Sequence, residues 1–248
     1  MAEVIKSSDL FRLFLRCFFV QGSWSFKCLI GLGFCYSAIP IAKRLYKDPG
    51  DQREFLRRHL TFFNAHPYYA SWGLGAVAKL EEEAERKEWV DLNPIAIFKE
   101  RMSGPLGAIG DRMFWSGIKP LAAGIGIWLA LSIGWPALPI FLLIYNIPHI
   151  YIRAKGLMLG YRKGFDMVSN VSLRRSQKWF NTISIIGILV AGLTSMAAAK
   201  WCMQQDITYL VAFVISLTIT LASAHFKKPI NLVLLVSIAV SMGITLLF

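Results

Sequence analysis

Asp111 and Arg112 stand side by side in SGPLGAIGDRMFWSGIKP, Ser103 to Pro120, where ionisable groups are set inside an apolar, glycine-punctuated run. Such groups are expensive in a membrane and face protein or a water-filled cavity, so the chemistry they suit is polar contact with an ion, a substrate or each other. Gly104, Gly107 and Gly110 recur every third residue with Pro105 among them. Each interior glycine costs a helix about 1 kcal/mol relative to alanine, while permitting close backbone approach or a sharp bend. Two readings stay open on these residues: a tight helix-packing turn with its charges at the membrane surface, or a re-entrant element lining a substrate path.

Other chemistry-bearing residues are sparse. His59 and His66 are seven apart, but Pro67 pushes His66 out of helical geometry, and a metal of the relevant kind needs three or four convergent ligands. No metal site is expected, and His66 reads as a polar loop contact, structural or near a substrate path. The acidic run Glu81, Glu82, Glu83, Glu85 and Glu88 reads as a solvated helix face, with pairs such as Glu82 and Arg86 adding a few tenths of a kcal/mol. Cys17, Cys28, Cys35 and Cys202 lack any zinc or Cys-x-x-Cys spacing and read as small apolar residues. No Walker loop, nucleophile elbow or His-Glu-x-x-His motif occurs, so covalent catalysis within the chain is not expected, and no cofactor is called for.

The composition says what must position these residues. Of 248 residues, 55% are hydrophobic and only 17% charged, with mean hydropathy +0.49, a balance that points to a membrane protein. Thirteen of the fifteen acidic residues lie at or before Asp111. The net charge of +12 fits basic cytoplasmic loops beside apolar spans, and no pattern for nucleic acid accompanies it.

Along the chain, Leu10, Phe11, Phe14, Leu15 and Phe18 fall on one side of a helix with Arg12 and Arg16 on the other, and Asp9 suits its N-cap. Such a helix lies on a membrane surface or against a partner. Cys28 to Ala42 is too short for a straight crossing of about 20 residues, which leaves an interfacial, re-entrant or buried position, ending at Pro40, Lys43 and Arg44. A helix with a basic face is expected over Gln52 to Asn64. The uncharged run from Pro120 to Ile152 is cut at Gly134, Trp135 and Pro136 into two short pieces, as in discontinuous transport helices or a plain hairpin. Arg153 to Lys178 is expected to be a basic loop, followed by spans at Trp179–Ala199, Ile207–Phe226 and Pro229–Phe248 with a Lys227–Lys228 turn. By the positive-inside rule both basic loops are cytoplasmic, the Cys202 to Asp206 linker and the C-terminus lie outside, and a retained N-terminus is cytoplasmic.

Six stretches occur together in a familiar order: QGSWSF (Gln21 to Phe26), GLGFCYSAIPIAKRLY (Gly31 to Tyr46), RRHLTFFNAHPYYAS (Arg57 to Ser71), LEEE (Leu80 to Glu83), GPLGAIGDRMFW (Gly104 to Trp115) and GLMLGYRKGFD (Gly156 to Asp166). On these the chain resembles the IID membrane subunit of the mannose/fructose/sorbose-type phosphotransferase system, closely over the first 165 or so residues and beyond them only in hydrophobic architecture. The resemblance implies a bacterial inner-membrane subunit paired with a IIC subunit, in several copies of the pair. Together they would carry a hexose-type sugar, while IIA and IIB components relay phosphoryl groups from phosphoenolpyruvate. It also implies that this chain bears no phosphorylated residue, so that His59, His66, His149 and His225 are not phosphocarriers. Two departures stand out. Arg112 replaces the proline usual after the family's Gly-Asp, and the longer segment with an Asp-x-x-x-Pro-Gly-type motif has no counterpart around Met203 to Thr208.

The fold expected is therefore all-α: a polytopic integral membrane protein with short, broken or re-entrant helices and an amphipathic N-terminal helix. Its single IID-type domain comprises amphipathic, largely cytoplasmic or interfacial helices over 1–93, Gly/Pro-broken membrane segments over 94–152, the basic cytoplasmic loop over 153–178 and three transmembrane helices over 179–248. Gly104, Pro105, Gly107, Gly110, Asp111, Arg112 and Trp115 are the expected transport motif, and Asn64, His66 and Pro67 the expected substrate path or IIC contact. Partners are IIC, IIB, IIA, the sugar and the lipid bilayer. The competing functions are a regulatory or scaffold subunit that assembles with IIC without moving sugar, and a membrane transferase. The transferase would need clustered carboxylates for a divalent metal, and Asp111 stands nearly alone.

Overall fold

Apolar residues at helical spacing shape this chain, and among the described residues the regular elements of the computed structural model are helices. It describes residues 4–205 and 207–225, with Val236, Ala239 and Gly243 singly. The expected Pro229–Phe248 span and the Lys227–Lys228 turn lie outside the described residues.

The chain divides into two units, Met1–Pro120 with Leu142–Ile185, and Leu121–Phe141 with Ile186–Phe248. In the first, α1 (Ser7–Arg16) leads through a short 3₁₀ turn (Cys17–Phe19) to α2 (Gly31–Leu45), α3 (Pro49–His59) and α4 (Ala70–Arg86). Asp9 is not the N-cap of α1. Lys6, in extended conformation, caps the helix, and Asp9 sits in the first turn, where it accepts from the Lys6 N–H at 3.1 Å and pairs with Arg44 at 2.6 Å. A carboxylate there still suits the helix dipole. In the short apolar helix α2, Phe34, Ala38, Ile41 and Ala42 are enclosed while Leu32 and Tyr36 are exposed, and Pro40 stays inside the helix rather than ending it. Asp48 caps α3 through the Gly50 and Asp51 N–H groups. That helix stops at His59, short of Asn64, because residues 60–69 pair elsewhere: Phe63 accepts from the Ile30 N–H and donates to the Cys28 carbonyl.

The glycine-rich stretch does not turn back. Helix α5 (Asn93–Gly110) passes into a π-helical segment (Asp111–Ile118) and then α6 (Lys119–Ile133), and the whole of Asn93–Ile133 stays helical. Pro120, two residues past the π segment, has no N–H to donate back along the helix, yet the backbone stays coiled without a break. The real interruption is at Gly134–Pro136, where Gly134 takes φ +72°. Beyond it α7 (Ala137–Lys163) is one long helix.

The expected basic loop over 153–178 is a correction. Helix α7 runs through Lys163, a 3₁₀ segment covers Gly164–Asn170, and α8 (Leu173–Gln205) begins three residues later, followed by α9 (Ile207–His225). Lysine and arginine are good helix formers, so clustered charge did not demand a loop. Among the described residues, three helices are long and apolar enough to cross a membrane, Asn93–Ile133, Ala137–Ser169 and Ser176–Gln204, with a shorter apolar helix at Ile207–Ala222.

Within the first unit α4 and α7 cross in close contact. Gly156 and Gly160 leave room for the Trp72 ring and the Trp72–Ala76 backbone, and Trp72 Nε1 donates to the Ile152 carbonyl at 3.2 Å. Small residues four apart allow such an approach between helices in a bilayer. In the second unit Thr194 donates to the Gly124 carbonyl at 3.0 Å, joining α6 to α8.

Candidate functional site

The two groups of residues singled out from the sequence meet in the first unit. The segment 64–67 lies along one face of α5. Ser103 Oγ donates to the Asn64 carbonyl at 2.6 Å and accepts from the Asn64 N–H at 2.8 Å, a reciprocal clamp. One turn on, a β-carbon at Gly107 would stand 3.4 Å from the same carbonyl. At Gly110 it would collide with His66 Cβ and Cγ. Ser103, Gly107 and Gly110 follow helical spacing, so a stripe of small residues forms the seat for the loop.

His66 is 1% exposed and held by rings: Phe114 stacks on it at 5.3 Å and 22°, Trp115 lies at 4.9 Å, and Tyr68 meets it edge-on at 4.8 Å. Its Nδ1 accepts the Tyr68 N–H at 3.2 Å, which places the proton on Nε2, an atom with no hydrogen bond. Burial, aided by the nearby Arg153 charge, pulls the His66 pKa down to about 3. The imidazole is therefore neutral at physiological pH.

Behind His66 the structure gathers residues that sequence reasoning did not connect. Tyr68 stacks on His149 at 4.6 Å and 21°, and its hydroxyl meets that of Tyr145 at 2.8 Å. Arg153, assigned from sequence to the start of a basic loop, is 4% exposed. Its guanidinium lies 4.8 Å from the Tyr68 ring and 5.0 Å from Phe18, and it donates to the Cys17 carbonyl. The signal available was Tyr145, His149 and Arg153 at four-residue spacing, one face of α7.

A second polar cluster corrects the reading of the acidic run. Glu81 and Glu82 are both 0% exposed, while Glu85 and Glu88 face outward. Arg58 donates to Glu81 at 2.9 and 2.8 Å, His59 Nε2 at 2.8 Å and the Tyr46 hydroxyl at 3.1 Å. Burial alone would raise the Glu81 pKa, but the His59 and Arg58 hydrogen bonds hold it at about 2. Burial lowers the His59 pKa despite its carboxylate partner, so a neutral imidazole donates from Nε2. Lys99 reaches in from α5 to the His59 carbonyl at 2.7 Å and to Thr61 Oγ1 at 2.9 Å. Glu82 points elsewhere, accepting the Val4 and Ile5 N–H groups, each at 2.9 Å, and the Tyr161 hydroxyl at 2.9 Å. Leu74, Val77, Ala78 and Glu81 sit at i, i+3, i+4 and i+7, so helical periodicity already put Glu81 on the buried stripe.

The remaining expected site residues are more exposed. Gly104 has open space where a β-carbon would go, and Pro105 is exposed inside α5. Asp111 and Arg112 are exposed and form no ion pair with one another; Arg112 instead stacks over Phe180 at 4.5 Å. Trp115 bridges His66 and the Lys119 ammonium, which lies 4.9 Å from its ring. Asn64 is exposed, while His66 and Pro67 are buried. Among the described residues no group of three His, Cys, Asp or Glu side chains could hold a metal.

Residues 4–246 match the family described as the PTS system mannose/fructose/sorbose family IID component. The mannose-specific EIID component of Escherichia coli strain K12 is 35% identical over 189 residues, spanning 76% of this chain and 67% of the relative. The sorbose-specific EIID component of Klebsiella pneumoniae is 36% identical over 197 residues, 79% and 71% of the two chains. A solved chain from the complex of the mannose transporter ManYZ with microcin E492 superposes with TM-score 0.63 at 34% identity, covering 77% of this chain and 70% of its own. With a family model matched over almost its whole length and relatives about 35% identical, the chain belongs to the IID component family of mannose/fructose/sorbose phosphotransferase systems.

Proposed function

We propose that this chain acts with a IIC subunit, several pairs to a complex, to carry a hexose-type sugar across the bacterial cytoplasmic membrane, while IIA and IIB components phosphorylate it from phosphoenolpyruvate. In this reading the chain is one IID domain, is not itself a catalyst, and takes no phosphoryl group on His59, His66, His149 or His225. Its N-terminus lies in the cytoplasm and its C-terminus outside. The observation that carries the reading is the seating of segment 64–67 on Ser103, Gly107 and Gly110, directly before the π-helical turn. A π segment is locally less tightly hydrogen-bonded than an α-helix and marks functional sites. Here it presents exposed Asp111 and Arg112 next to a rigidly packed loop.

A sugar phosphotransferase subunit need supply no catalytic constellation, because the phosphoryl chemistry resides in the soluble components. The neutral buried His66 suits a positioning part rather than a phosphocarrier, which must be reached by its donor. The transport motif proposed is Gly104, Pro105, Gly107, Gly110, Asp111, Arg112 and Trp115, with Asn64, His66 and Pro67 at the substrate path or the IIC contact. Co-purification with the IIC subunit, reconstitution with IIA and IIB, and phosphoenolpyruvate-dependent uptake across a panel of hexoses and amino sugars test it. Phosphorylated sugar inside the vesicles is the expected result. A stable complex that takes up none of the panel would sink the transport reading.

A further inference from the structure

Three stripes run along α1. Counted at 100° per residue, Leu10, Leu13 and Cys17 form the buried stripe, Phe11, Leu15 and Phe18 a second, and Arg12 and Arg16 a third. The second stripe is apolar yet open, with Phe11 60%, Leu15 48% and Phe18 39% exposed. The third faces a cleft of about 560 Å³ between α1 and α2, whose other wall carries Lys43 and Arg44. Four cations thus meet one acid in the cleft, Asp9, which Arg44 already engages at 2.6 Å. Arg16 is held by Tyr36, donating to its carbonyl at 3.1 Å and lying 4.6 Å from its ring. Arg12 and Lys43 are exposed and enter no ion pair among the described residues.

We propose that this cleft binds the phosphate of an anionic phospholipid, with Arg12 and Lys43 on the headgroup and the Phe11–Leu15–Phe18 stripe against the acyl chains. Two observations single out a lipid over an acidic protein. The basic stripe directly borders an exposed apolar one, the pattern of a helix lying in the headgroup region. That apolar stripe also runs onto a membrane-crossing helix: Phe18 meets His149 edge-on at 6.3 Å, and Arg153 donates to the Cys17 carbonyl. Next along the chain, Trp24 is 52% and Phe26 90% exposed, aromatic rings of the sort that settle at the bilayer interface. A cleft of this size accommodates a phosphoglycerol headgroup, which falls within the ordinary range for small-molecule sites.

The test uses the full-length chain in neutral detergent, titrated with dioleoyl phosphatidylglycerol or dioleoyl phosphatidylcholine and read by native mass spectrometry. Phosphatidylglycerol is expected to bind at least about tenfold more tightly. R12Q/K43Q should weaken it roughly fivefold per neutralised cation, about twenty-fivefold together, while R12K/K43R retains it. Soluble glycerol phosphate at the same concentration should not displace it. Equal binding of the two lipids would overturn the proposal. So would undiminished phosphatidylglycerol binding by an R12Q/K43Q variant that melts as the parent does, or displacement by glycerol phosphate, which would make the cleft a site for free phosphate. Loss of a soluble acidic protein partner in R12Q/K43Q, with lipid preference unchanged, would assign the cleft to that partner and overturn it equally. Should R12Q/K43Q melt early, recovery of both melting and lipid preference in R12K/K43R supports the charge-based site, and recovery of melting without it refutes the site.

Discussion

The His66 ring packs on the bare α-carbon of Gly110, so closely that a β-carbon there would overlap its Cβ and Cγ. Forty-four positions apart in sequence, the two residues form the last step of a seat begun by Ser103 and Gly107. Everything proposed for transport depends on this join, because it ties the loop after α3 to the π-helical turn at Asp111.

Gly110→Ala is expected to cost roughly 1–3 kcal/mol or more, since neither the ring nor the helix backbone can yield without disturbing Phe114. Gly104→Ala, six residues before it and in open space, should gain about 0.5–1 kcal/mol from helix propensity. Thermal unfolding of the two purified variants beside the parent decides the matter; equal effects would mean that the seat is not as tight as described.

Glu81→Gln leaves Arg58 half-enclosed without its carboxylate and should destabilise by about 3–5 kcal/mol, the cost of breaking a buried ion pair. Glu88→Gln, on the exposed side of the same acidic run, should shift stability by less than about 0.5 kcal/mol. Denaturant midpoints for both variants provide the comparison, and near-equal shifts would contradict the burial of Glu81.

Stability should fall as the pH drops below about 6.5, and His66 contributes to that fall. The unfolded imidazole binds a proton near its ordinary pKa of 6.5, whereas the folded one resists until about 3. Its share of stability is complete above 6.5 and is lost progressively between 6.5 and 3, about 2 kcal/mol of it by pH 5. Melting curves at pH 5 and pH 8 should show a smaller difference in His66→Gln than in the parent. An unchanged difference would place the titrating group elsewhere, with the buried His59 the next to examine.

Asp111→Ala should impair sugar uptake without abolishing membrane insertion, because the carboxylate is exposed, joins no ion pair among the described residues and supports none of the core. Uptake by the reconstituted complex and the amount of chain recovered from membranes separate the two effects. Parental uptake would remove Asp111 from the transport motif.

Much of this architecture was legible in the sequence. The apolar balance, the helix period of α1, the break at Gly134–Pro136 and the ordered motifs determined the class of protein, most helices and the family, since all of these are local patterns. Tertiary structure decided where the charges went. Glu81 and Arg153 read as solvated because charge is normally cheapest in water, yet each is buried among partners 22 to 136 positions away. Such partners leave no local trace, and desolvation can be offset only once the fold has assembled them. The same holds for Gly104 and Gly110. Equivalent by spacing, they differ because a histidine packs on one and nothing within 4 Å faces the other.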